Sequence, residues 1–199
     1  TLDRSSAASD VYKRQMVIKT KRLLLRAWKD SDIESFTAMN ADRKVMEYFP
    51  KVLTRGESYS LCKKISTHIQ KNGWGLWAVE VPRISSFIGF IGLSPVSFTA
   101  HFTPAVEIGW RLAHAYWGQG YATEGGLAAL EYGFERLHLP EIVSFTAKQN
   151  VKSIAVMKRI GMHHNSFDNF DHPKLMKSDR LCRHVLYRLT KKEWDSKVM

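Results

Sequence analysis

The sequence predicts a single α/β domain, a mixed sheet covered by helices. Three observations point there. Helical patterns come first, then a run of strands, then an alternation of strand, helix, strand, helix and strand. The 199 residues suit one domain with one core. Hydrophobic residues at 44% and aromatics at 12% supply the material for that core.

Taken in order, residues 20–27 contain the apolar run Leu23-Leu24-Leu25 and read as the first core strand. Asp30 is the expected N-cap of a helix carrying Ile33, Phe36 and Met39 at three-residue intervals. Thr54 and Glu57 form a capping box, and the helix they open runs through Leu61, Ile65 and Ile69 to a stop at Asn72-Gly73. Residues 75–81 and 87–93 pair as strands joined around residues 82–86, and residues 106–112 make a third strand. A long helical pattern over 120–137 leads to a strand at 142–147, then to a helix over 150–160 closed by Gly161. A polar loop over 169–181 precedes a last strand at 184–189 and a short tail with Trp194.

Residues 1–15 (TLDRSSAASDVYKRQ) are polar, lack the apolar stretch of a secretory signal, and precede Met16. They are read as an extraneous or vector-derived leader, with residues 16–199 as the domain. No apolar run approaches a membrane span. Cys62 and Cys182 stand far apart in no metal-ligand spacing, and the eight histidines form no zinc motif. A cytoplasmic protein with reduced thiols and no metal is expected. The net charge of +11 suits a phosphate-bearing ligand or serves solubility alone. Lys and Arg are dispersed and not interleaved with aromatics, so nucleic acid is not the expected partner.

The stretch over 106–124, VEIGWRLAHAYWGQGYATE, is the most informative. On a strand, Val106, Ile108, Trp110 and Leu112 share one face, while Glu107, Gly109 and Arg111 share the other. A glycine inside a strand signals a bulge or close approach by a ligand, and here suggests an edge open to an extended, peptide-like molecule. Gly118 and Gly120 then lead into a helix whose free amides and positive dipole end suit an anion. No Lys-Ser or Lys-Thr follows, and Thr123 breaks the dinucleotide fingerprint. On the glycines alone, a phosphate cradle and a tightly packed turn are equally good readings. Farther on, Asn150 is placed to cap the helix after the strand IVSFTA, with Ser153 one turn in.

Taken together, TKRLLLRAW at 20–28, EIGWRL at 107–112, WGQGYATE at 117–124 and NVKSIAVMKRIGM at 150–162 resemble the GNAT acetyltransferase superfamily. Within it the chain resembles the branch of the ribosomal-protein alanine N-acetyltransferases. The resemblance covers nearly everything from Thr20 to Leu189. It implies a splayed mixed sheet with acetyl-CoA in the V between two parallel strands. Trp110, Arg111 and Leu112 would offer backbone groups to pantetheine. Gly118, Gln119, Gly120, Tyr121, Ala122 and Thr123 would hold the pyrophosphate, and Asn150 and Ser153 would lie beside the pantetheine and sulfur. The family's phosphate motif usually opens with Gln or Arg, where this chain has Trp117.

The implied activity moves an acetyl group from acetyl-CoA to an amine acceptor by direct attack in a ternary complex, in a monomer or a homodimer. A protonated amine must lose a proton before attack. Glu107 is the candidate base, against a reading as a structural carboxylate. Ser153 is the candidate acid for the leaving thiolate, with Tyr116 and Tyr121 as alternatives and helix capping as its structural reading. Asp168, Asp171, His172 and Asp179 make either a polar wall of the acceptor site or, as favoured here, a solvated crossover. Lys148, Lys152, Lys158 and Arg159 contact the ribose phosphate or form an ordinary solvated face. Trp74, Trp77, Phe87 and Phe90 read as core or cleft lining. The alternative to catalysis is an acyl-CoA-binding sensor or pseudoenzyme without turnover.

Overall fold

The computed structural model describes residues 17–198, so the leader expected at residues 1–15 lies outside the described residues. Nine strands form one sheet: β1 (Ile18–Lys19), β2 (Leu24–Arg26), β3 (Leu76–Val81), β4 (Ser85–Pro95), β5 (Val106–Leu112), β6 (Glu141–Ala147), β7 (His163–His164), β8 (Phe170–Asp171) and β9 (Arg183–Thr190). Their order is β1-β2-β3-β4-β5-β6-β9-β7, with β8 also on β9. Every adjacent pair is antiparallel except β5 and β6, which run parallel through a single register pair, Glu107 with Val143. That one pair makes the sheet splay. One residue on, the Ser144 hydroxyl donates to the Ile108 carbonyl at 2.9 Å, doing by side chain what the ladder no longer does.

Five helices cover the two faces: α1 (Asp32–Ala41), α2 (Arg55–Asn72), α3 (Tyr121–Glu135), α4 (Val151–Arg159) and α5 (Lys191–Val198). Against one face, Leu130 and Phe134 of α3 and Met157 of α4 pack on Leu25, Ile91, Leu93 and Ile108. Against the other, Phe36 and Met39 of α1 meet Ala78, Phe87 and Phe90. Trp77 and Phe87 are therefore core residues, while Trp74 sits edge-on to His68 at its margin. Among the described residues, no helix is long and apolar enough to cross a membrane, and Cys62 and Cys182 are free thiols.

Helix boundaries follow the expected chemistry, with local corrections. The Thr54–Glu57 box closes in both directions, and Gly73 ends α2 in the left-handed region at φ 77°. The N-cap position of the first helix is Ser31 rather than Asp30, and its side chain makes no cap hydrogen bond. Asp32, the first residue of the helix, has a stronger local role: it accepts the Lys29 amide at 2.8 Å and takes both terminal nitrogens of the buried Arg26 at 2.9 Å. Arg26 also reaches Glu80 of β3 at 2.8 Å and the Ser86 carbonyl, tying strand, helix and hairpin together. The tail with Trp194 is a helix, and its signal is a second capping box: the Thr190 amide donates to Glu193 at 2.9 Å and the Glu193 amide to the Thr190 hydroxyl at 3.3 Å.

The bulge expected at Gly109 is not there. β5 pairs with β4 without interruption from Val106 to Leu112. The register shift lies on the β3–β4 ladder between Val79 and Val81, next to Gly89, whose φ of 137° admits no ordinary side chain. A Cβ at Gly89 would stand 2.1 Å from the Arg111 carbonyl.

Candidate active site

The strands that part after Glu107 and Val143 open a cleft of about 1290 Å³. Its floor is β5, and α3 and α4 begin on one side of it. Of the residues picked from sequence, Glu107, Trp110, Arg111, Leu112, Gly118, Gly120, Tyr121, Ala122, Thr123, Asn150 and Ser153 all line this space. Gln119 does not. Its side chain turns back to donate to the Ala115 carbonyl at 3.2 Å, while its own carbonyl accepts from Arg22 at 2.9 Å.

At the phosphate-loop end, Gly118 and Gly120 have φ of 75° and 79°, the left-handed conformation that glycine adopts without strain. Gly120 is the N-cap of α3 and offers no side chain to cap it, so the first amides of the helix stay available to an anion. Trp117, standing where the family usually has a polar side chain, donates its indole N–H to the Leu112 carbonyl at 2.8 Å and so ties the loop to the end of β5. Lys152 of α4 lies over its ring at 4.6 Å.

A brace behind the loop was not foreseen. Glu124 accepts from the Thr20 hydroxyl at 2.7 Å, the Arg22 amide at 2.7 Å and Arg22 Nε at 2.6 Å. These contacts hold Glu124 below the ordinary carboxylate range against the opposing effect of burial. The only sequence trace of the brace is that both ends fall inside family motifs a hundred residues apart.

Facing the loop, the Asn150 carboxamide oxygen accepts the Ser153 amide at 3.3 Å, and its nitrogen donates to the Thr146 hydroxyl at 3.0 Å. Asn150 therefore does the capping, which leaves the Ser153 hydroxyl without a protein partner among the described residues. Opposite Gly109 a Cβ would meet nothing within 4 Å, so the middle of β5 presents open backbone to the cleft.

Glu107 sits at the apex of the splay. Burial pushes its carboxyl up to about 7, against a hydrogen bond from the Ser94 hydroxyl at 3.0 Å and the field of Lys174. The carboxylate thus changes charge near neutrality, where a proton acceptor is useful. Arg111, four residues along the same face, is buried against Phe49 and Phe90 and makes no contact with Glu107.

The late loop departs from the favoured reading as a solvated crossover. His172, Lys174, Leu175, Leu181 and His184 complete the cleft wall. Burial holds His172 down at about 4 and lowers His184 as well. The acids of that loop are occupied elsewhere: Asp168 pairs with Arg188 at 2.9 Å, Asp171 with Arg183 at 3.2 Å, and Asp179 accepts the Leu181 amide at 2.7 Å. Of Lys148, Lys152, Lys158 and Arg159, Lys152 and Arg159 line the cleft.

A model of the acetyltransferase (GNAT) domain matches residues 22–163. The chain belongs to the GNAT acetyltransferase family. As an N-acetyltransferase of that family it is similar to the uncharacterized N-acetyltransferase YnaD of Bacillus subtilis, 31% identical over 185 residues that cover 90% of this chain and all of that one. It is similar also to the FsC-acetyl coenzyme A-N(2)-transacetylase of Aspergillus fumigatus, 29% identical with 92% and 79% of the two chains covered. A GNAT-family acetyltransferase structure from Bacillus anthracis superposes with a TM-score of 0.73 at 28% identity, covering 89% of this acetyltransferase and all of the other. Among the described residues, no group of three or more His, Cys, Asp or Glu is placed to hold a metal ion.

Proposed function

We propose that this acetyltransferase moves the acetyl group of acetyl-CoA to a primary amine, on a protein or on a small molecule, by direct attack with both substrates bound. The observation that carries the reading is Glu107 at the apex of the splay, titrating at about 7 between an open β5 edge and a separate wall. The fit to CoA rests on the two left-handed glycines, the uncapped start of α3 and the open backbone at Gly109.

Bound acetyl-CoA supplies an activated thioester. Around it, the backbone of Trp110, Arg111 and Leu112 holds the extended arm, and the residues from Gly118 to Thr123 hold the diphosphate. Glu107 takes the proton of the incoming ammonium and delivers a neutral amine. Ser153, its hydroxyl uncommitted, holds a proton toward the leaving sulfur, with Tyr116 and Tyr121 as further hydroxyls on the same cleft. No cysteine lines the cleft among the described residues, in keeping with transfer without an acyl-enzyme.

The test is mass spectrometry of peptides and small amines incubated with protein and acetyl-CoA. Gain of one acetyl group on a defined amine is expected. CoA binding without turnover across the panel would overturn catalysis and leave a sensor.

A further inference from the structure

Arg111 is a half-buried cation without an anion. Its Nη1 donates to the carboxamide oxygen of Asn40 at 2.7 Å, and Asn40, itself fully buried, is held by the Ser58 hydroxyl at 3.1 Å. Its Nε is sealed from solvent with no acceptor. Phe49 and Phe90 cover the guanidinium at 4.1 and 5.4 Å, so its donor edge is what remains for a ligand. Among the described residues no carboxylate pairs with it. That contrasts with Arg26, which is buried outright and takes Asp32 and Glu80.

A guanidinium carries five N–H donors, and this one spends a single donor on a neutral amide. Taking the charge out of water without a counter-ion is costly, and burial accordingly pulls Arg111 down to about 10. Arg111 lines the cleft from the α1–α2 side, on the same strand face as Glu107. Away from the glycine loop the charge of the lining points the same way: Arg111 and Lys174 stand against one carboxylate, Glu107. A polyamine would meet cations and the group needed as base.

We infer that the acceptor is a small amine carrying an oxyanion, a carboxylate or a phosphate, which the Arg111 guanidinium grips while Glu107 addresses the amine. This rests on the transferase reading above and narrows it to a substrate class. A planar fork matched to two oxygens, with its faces already stacked, suits that group better than a lysine would. Four strand residues put the Cα atoms of Glu107 and Arg111 about 13 Å apart, so the amine-to-anion spacing is a variable to be scanned.

The experiment compares kcat/KM for acetylation, read by CoA release, within matched pairs: β-alanine and its amide, γ-aminobutyrate and its amide, phosphoethanolamine and ethanolamine. The member without the oxyanion has the less basic amine, so intrinsic reactivity runs against the expected order. The native protein should favour the oxyanion in at least one pair by about tenfold or more. The favoured pair tells carboxylate from phosphate. In Arg111→Gln the ratio within that pair should fall toward one, and Arg111→Lys should keep part of it. Ratios near one in every pair, turnover confined to neutral or polycationic amines, or a preference that survives Arg111→Gln would overturn the inference while leaving acetyl transfer standing. Failure to acetylate any amine, spermine and neutral peptides included, would sink the transferase reading and this inference with it. If Arg111→Gln does not fold, the native ratios alone decide.

Discussion

The two sides of the cleft are built on different principles. The side proposed for the cofactor is local and made of backbone: one strand edge, two left-handed glycines, the first turn of α3, and α4 with its Asn150 cap. The side proposed for the acceptor is assembled from side chains on distant segments: Asn40 at the end of α1, Phe49 beyond it, Phe90 on β4, Arg111 on β5, and His172 and His184 around the late loop. Backbone recognition tolerates sequence change, provided glycines remain where φ demands them. Side-chain recognition can be rewritten one residue at a time, which is how one scaffold serves many acceptors.

Four substitution or titration experiments press on this contrast, the first three in falling order of effect. Glu107 stands where the two sides meet. Glu107→Gln keeps its shape and removes its basicity, so kcat/KM at pH 7 should drop by about 10² to 10⁴. The native profile should rise through about pH 7 as the carboxyl ionises, a limb the variant lacks, and the deficit should shrink at high pH where free amine is abundant. Near-native turnover at pH 7 would move the proton to bulk water or another side chain.

Next comes the frame of the acceptor side. Asp32→Ala leaves the buried Arg26 with only Glu80, and breaking a buried pair typically costs about 3–5 kcal/mol. Denaturant unfolding should show a loss of that order; a loss below about 1 kcal/mol would mean that Glu80 and the Ser86 carbonyl suffice.

Gly120→Glu strains a φ of 79° and puts a negative charge at the cradle. CoA affinity by calorimetry should fall at least about tenfold while the far-UV spectrum stays native. Arg22, whose Nη2 lies 3.4 Å from the added Cβ, helps the fold tolerate the change. Unchanged affinity would place the phosphates elsewhere and dissolve the backbone-built half of the comparison.

The last experiment is a linkage one. The Glu107 carboxyl is raised from an ordinary 4.5 to about 7, so its neutral form is the one the fold favours. Between those values the folded state keeps a proton that the unfolded chain has released, and stability falls as pH rises across that window. Glu107→Gln should lack this slope, so its Tm relative to native should climb from pH 4.5 to 7 and then level. A flat difference would mean an ordinary, solvated carboxyl.

By itself, the sequence determined what depends on near neighbours. The strand 106–112 was legible from its alternation, and the Thr54–Glu57 box, the glycine pair and the Asn150 cap because their hydrogen bonds close within three or four residues or because φ restricts the residue type. So was the position of Glu107 on a strand face opposite the apolar row, though not its titration. The tertiary structure alone decided what depends on meeting across the chain. Glu107 is pushed up to about 7 because the fold buries it at the splay, against the Ser94 hydrogen bond, and no spacing encodes that burial. Arg111, read only as a backbone contributor, became a candidate for reading the acceptor once Asn40, Phe49 and Phe90 closed around it without a carboxylate. The late loop reads as solvated because its sequence is polar, yet Asp168 and Asp171 turn to Arg188 and Arg183 and leave two imidazoles on the cleft. Alternation along a chain gives the face of a residue; its charge, exposure and partners follow from segments that only the fold brings within a few ångströms.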